Sequence, residues 1–121
     1  YKRKAMNTFF FKVPDDPKDD VVFLGRMNDD VNAYISDGQV GGIWLQVPFI
    51  NLNQMLTQHS KGGNTESYQK FGTYVKSWYS VMLKPDAVRI GLMGSSARRI
   101  HHLIDWEKCV PKILNERYKK S

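Results

Sequence analysis

Three kinds of chemistry are missing from this chain before anything is found in it. A single cysteine, Cys109, among 121 residues leaves no partner for an intramolecular disulfide and no thiolate spacing for a structural zinc site. No apolar run reaches the roughly 18 residues that a bilayer span needs. The opening YKRKAMNTFFFK also lacks the ordered basic, apolar and small-residue regions of a secretory signal. No serine sits in a nucleophile elbow, and no glycine run has Walker spacing. A disulfide scaffold, a membrane-spanning protein, a triad hydrolase and a P-loop nucleotidase are set aside on these grounds. The expected setting is reducing and cytoplasmic, with no membrane partner.

What is present is basic and aromatic. Lys and Arg number 18 against 12 Asp and Glu, a net charge of +6, which suits a polyanionic neighbour such as nucleic acid or a nucleotide diphosphate. The hydrophobic fraction of 41% and aromatic fraction of 12% are those of a folded domain rather than a disordered chain. There is no internal repeat and no linker long enough to separate a pair of domains, so residues 1–121 are expected to form one.

Local patterns predict a mixture of elements. MNTFFFKV, VVFLGR and VGGIWLQVPFI read as strands, the first closed by the turn chemistry of PDDPKDD. NDDVNAYISDG reads as a helix with Asn or Asp at its cap, Val31, Tyr34 and Ile35 at helical spacing, and Gly38 at its stop. Tyr68, Phe71, Tyr74, Val75, Trp78, Tyr79 and Met82 share one helical face, predicting a helix over 65–83 that Gly72 weakens and Pro85 ends. The aromatics of that face are expected in the core. AVRIGLM and RIHHLIDW then form a hairpin across GSSAR, and PKILNERYKK reads as a last helix with proline at its start. The fold class is α/β or α+β, a mixed sheet flanked by helices.

Several side chains bear on chemistry. Asp29 and Asp30 lie in the first turn of a helix, where unpaired N–H groups and the dipole favour negative charge, so either capping or general-base work suits them. Asp29 is expected to cap and Asp30 to face a cleft. Arg26 is placed to hold the first carboxylate or a phosphate. His101 and His102 follow Arg98 and Arg99 on a strand, so the two imidazoles should point to opposite faces and only one can enter a site. The arginines suit phosphate through bidentate pairing. Lys61, Gly62 and Gly63 form a glycine loop before a helix start, an arrangement that receives anions. Cys109 is better explained by packing than by nucleophilic chemistry. His59 reads as a structural or exposed loop residue, and Lys76 as solvated or lining a polyanion groove.

Taken together, FGTYVKSWYSVMLKPDAVRIGLMGSSARRIHHLIDWEKCVPKIL, with GRMNDDVNAY and GGNTESY upstream, resembles the C-terminal part of phage TET-associated glycosyltransferases. These look like relatives of nucleotide-sugar enzymes of the GT-A fold that decorate hydroxymethylated pyrimidines in phage DNA. The resemblance covers nearly the whole chain. It implies Asp30 as the base with Asp29 as its neighbour, and His101 or His102 as the late histidine beside a divalent metal, Mg²⁺ or Mn²⁺. It further implies a nucleotide-sugar donor and DNA as acceptor, with Arg98, Arg99 and Lys61 on the DNA backbone. One departure stands out: DDPKDD precedes the NDD stretch by only about ten residues and lacks a nucleotide-binding half before it. The donor half is therefore expected to be missing, the chain being the C-terminal half of a larger enzyme. The competing reading from charge alone is a small basic nucleic-acid-binding module or phage accessory protein without catalysis.

Overall fold

The computed structural model describes residues 8–47, 49–50, 53, 64–94 and 98–120. Among them run helix α1 (Asp29–Gln39), α2 (Thr65–Phe71), α3 (Tyr74–Leu83), strand β1 (Val88–Met93), strand β2 (Arg99–Ile104) and the single turn α4 (Trp106–Cys109). Two 3-10 turns, Pro17–Asp19 and Glu116–Tyr118, flank them. The mixed helix and strand content agrees with the sequence, but in place of the expected mixed sheet the described residues hold one antiparallel pair. No helix among the described residues is long and apolar enough to cross a membrane.

The hairpin forms where alternation predicts it. Val88 pairs with Ile104 and Met93 with Arg99, placing Gly91 opposite His101 and Ile90 opposite His102. The Asp105 N–H continues the ladder to the Ala87 carbonyl at 2.8 Å. Of the connecting turn, residues 95–97 lie outside the described residues; Gly94 turns away with φ 108°, a left-handed value that glycine adopts without steric cost.

The three other expected strands do not form among the described residues. A strand needs a partner to satisfy its backbone N–H and C=O groups, and these segments give their side chains to an aromatic cluster instead. Phe9 meets Phe23 and Trp44 edge-on at 5.8 and 5.6 Å between ring centroids, and Trp44 meets Tyr34 nearly perpendicular at 4.6 Å. The helix expected over 65–83 is two helices. Gly72 takes φ 66° and ψ −159°, outside any helical conformation, and the chain restarts at Thr73, whose hydroxyl donates to the Ile100 carbonyl at 2.5 Å. Pro85 does end the second helix at Leu83, because proline pushes the residue before it to extended backbone, and Lys84 sits at φ −151°.

The last segment keeps only the 3-10 turn of the expected helix. Asn115 bonds back to the Gly41 and Val40 carbonyls, and Arg117 reaches Asp37 at 3.5 Å, so tertiary contacts outweigh the local preference. Gly38, expected as the stop of α1, lies inside its last turn. A Cβ there would sit 2.2 Å from the Cys109 carbonyl oxygen, so glycine is what lets α4 approach α1.

The core is small: Val31 and Ile35 from α1, Ala87 and Val88 entering β1, and Cys109, with Val81, Leu83, Ile104 and Trp106 packed around them. The aromatic stripe of α2 and α3 is not in it. Phe71, Tyr74, Trp78 and Tyr79 are each about half exposed, while Ser77 and Ser80 are fully buried. Small hydroxyl residues allow α3 to lie close to α1, and Ser80 bonds across that contact. Ser80 Oγ donates to Asn32 Oδ1 at 2.8 Å, Asn28 Nδ2 donates to Ser80 Oγ at 2.8 Å, and Asn32 Nδ2 donates to the Leu24 carbonyl at 2.9 Å.

Candidate functional site

The site begins at the start of α1. Asn28 is the cap residue, held at φ 66°, but its side chain makes no capping bond because it is committed to Ser80. Asp29 is therefore not the cap: it is the first helical residue, exposed, its charge near the positive end of the helix dipole. Asp30 follows, half-buried, with its carboxylate accepting the Val31 N–H at 2.8 Å. A short strut fixes this corner: Asn64, the cap residue of α2, donates its side-chain N–H to the Arg26 carbonyl at 2.6 Å. That bond brings α2 beside the start of α1.

Tyr68, one turn into α2, feels the charges of several predicted residues. Burial pushes its phenol pKa up, the negative charges of Asp30 and Asp29 push it further, and the Arg99 guanidinium pulls the other way. Lys76, from α3, lies over the Tyr68 ring at 5.0 Å from its centroid. Two carboxylates and two cations from three separate elements are thus within electrostatic reach of a single phenol. Asp30 also acts on Tyr34, whose hydroxyl is pushed up first by burial and then by that carboxylate. Sequence reasoning assigned Tyr68 to the core and missed this role; the spacing of Tyr68 with Phe71 and Val75 carried no sign of it.

Arg99 is the first residue of β2 and exposed, as is Arg98 before it; Arg26 is exposed, and its carbonyl carries the strut. Lys61, Gly62 and Gly63 lie outside the described residues, as does His59. His101 and His102 do not diverge to opposite faces. Their rings lie 4.2 Å apart between centroids and 31° from parallel, with His102 buried and His101 half-buried. Among the described residues, no three His, Cys, Asp or Glu side chains gather so as to hold a metal ion. Cys109 is a buried core residue, as expected. Burial raises its thiol pKa, Lys84 lowers it, and Asp86 and Asp105 raise it again.

Chemically, the corner offers a carboxylate for taking a proton, a second carboxylate, and cations able to meet phosphate. No family model, curated protein or solved structure matches this chain.

Proposed function

We propose that this chain acts on DNA as part of a glycosyl-transferring protein, with Asp30 as the base that activates the acceptor hydroxyl. The observation that carries the reading is that the charges of Asp30, Asp29 and Arg99 all act on half-buried Tyr68 while Lys76 lies over its ring. A passive DNA-binding face would keep its carboxylates away from its cations, since acids beside a phosphate backbone oppose binding.

In this reading Asp30 takes the proton of a hydroxymethyl group as its oxygen attacks the anomeric carbon of a nucleotide-sugar. The bond from that carbon to the nucleotide diphosphate breaks, and the electron pair leaves on the diphosphate oxygen. General-base assistance of this kind is worth on the order of 10² to 10⁴ in rate. Arg99 and Lys76 meet the DNA backbone or the departing phosphate. His101 and His102 offer two imidazoles, and among the described residues no third His, Cys, Asp or Glu joins them to hold a metal ion.

A second reading rests on the exposed aromatics. Phe71, Tyr74 and Trp78 stand out from α2 and α3 beside Lys70 and Lys76, the combination on which unpaired bases stack without catalysis. One experiment separates the two. The chain, joined to a nucleotide-sugar-binding half, is incubated with UDP-sugars, Mn²⁺ and hydroxymethylated duplex DNA, and the DNA is digested for mass spectrometry of its nucleosides. Glycosylated nucleoside from the wild type and none from Asp30→Asn, with DNA affinity retained, supports transfer. Unmodified DNA, with salt-dependent single-strand binding lost in Trp78→Ala, moves the assignment to the binding module.

A further inference from the structure

Beside the last turn of α1, two adjoining hollows share Gly38, Val110 and Pro111 as a common wall. The first, of about 270 Å³, is apolar, with Tyr34, Trp44 and Trp106 among its lining. The second, of about 340 Å³, is lined on its charged side by Lys84, Lys108 and Lys112. We propose that the pair forms one binding site for a small aromatic anion, a flat one- or two-ring body carrying a phosphate or carboxylate.

The volumes and the chemistry agree on this ligand. An apolar cavity of about 150 Å³ already holds benzene, so the aromatic hollow accommodates a fused two-ring body. Ring bodies gain from aromatic walls beyond the area they bury. Trp44 adds a specific requirement: its indole N–H is buried with no hydrogen-bond partner among the described residues, so an oxygen on the ligand body would satisfy a donor that is otherwise costly. The lysines set the sign of the head group. Lys84 pairs with Asp86 at 3.3 Å and Lys108 with Asp105 at 3.9 Å, whereas Lys112 has no ion pair among the described residues. Neither aspartate is among the residues that line the hollow, whereas all three lysines are.

The test uses 2-naphthyl phosphate as probe and 2-methoxynaphthalene, which keeps the ring and the ether oxygen but not the charge, as control. Binding is followed by calorimetry and by the indole N–H cross-peaks of the three tryptophans in ¹⁵N-labelled protein. The probe is expected to shift the Trp44 and Trp106 signals and leave that of Trp78 in place. Trp44→Phe assigns its peak and weakens binding, and Lys112→Ala, an exposed change that spares the fold, raises Kd about two- to fivefold at low salt. Neutral and anionic probes binding alike, with no effect of Lys112→Ala, would overturn the proposal. So would an unmoved Trp44 signal at millimolar probe.

Discussion

Ser80 and Asn32, forty-eight residues apart, share a hydrogen bond of 2.8 Å in which both side chains are fully buried. The serine hydroxyl also accepts from Asn28, so one oxygen joins α1, its cap residue and α3. Ser80→Ala leaves half-buried Asn28 Nδ2 and fully buried Asn32 Oδ1 without that partner. The cost is ~1–3 kcal/mol, read as a lower urea midpoint at unchanged slope. A neutral result would show that the network contributes nothing to holding the start of α1.

Gly38 and Cys109 make a second close relationship. Alanine in a helix interior is ordinarily about 1 kcal/mol better than glycine. At this position its methyl would press on the Cys109 carbonyl, and overpacking of that kind costs about 1–3 kcal/mol. Gly38→Ala is therefore expected to destabilise, against the helix scale, in a thermal melt; a gain in stability would mean that α4 moves aside freely.

Tyr34 and Tyr68 report on Asp30 without any assay of activity. Both phenols are raised by burial and by that carboxylate, so each keeps its proton at a pH where the unfolded chain has lost it. The stability they lend is complete below about pH 10 and is lost as pH rises through their folded values. Absorbance at alkaline pH should show at least two of the six tyrosines ionising late. Asp30→Asn removes the negative charge and moves both midpoints down; midpoints that stay in place would separate Asp30 from Tyr68 and remove the basis of the proposed site.

Cys109 gives a fourth outcome. Alkylation requires the thiolate, and the net effect on this buried thiol is upward. Iodoacetamide at pH 8 should label the folded protein slower than the urea-unfolded chain by on the order of tenfold or more, because reaction awaits local opening. Equal rates would contradict the packing of α4 against α1.

Much of the local structure was legible from residue order. Val31, Tyr34 and Ile35 at helical spacing behind two acids made α1, and alternation on either side of GSSAR made the hairpin, since both depend on neighbours within a few residues. The packing role of Cys109 was readable on the same basis. The strands expected before and after α1 were not decided locally. Each needed a partner, and Phe9 and Trp44 packed on Tyr34 instead, with Phe23 against Phe9. The outward turn of the α3 aromatics was equally hidden. Their spacing fixes which residues share a face, but which face is buried depends on what packs against it, and here Asn28 and Asn32 drew Ser80 inward.

By itself the sequence determined the basic charge, the single cysteine, one helix, one hairpin and the residues able to do acid–base or phosphate chemistry, because these follow from composition and short-range period. Tertiary structure alone decided that the charges of Asp29, Asp30 and Arg99 act on Tyr68 with Lys76 over its ring, and that three aromatics and three lysines line adjoining hollows. Those groupings join residues from distant stretches of the chain, and packing rather than local propensity sets which of them meet.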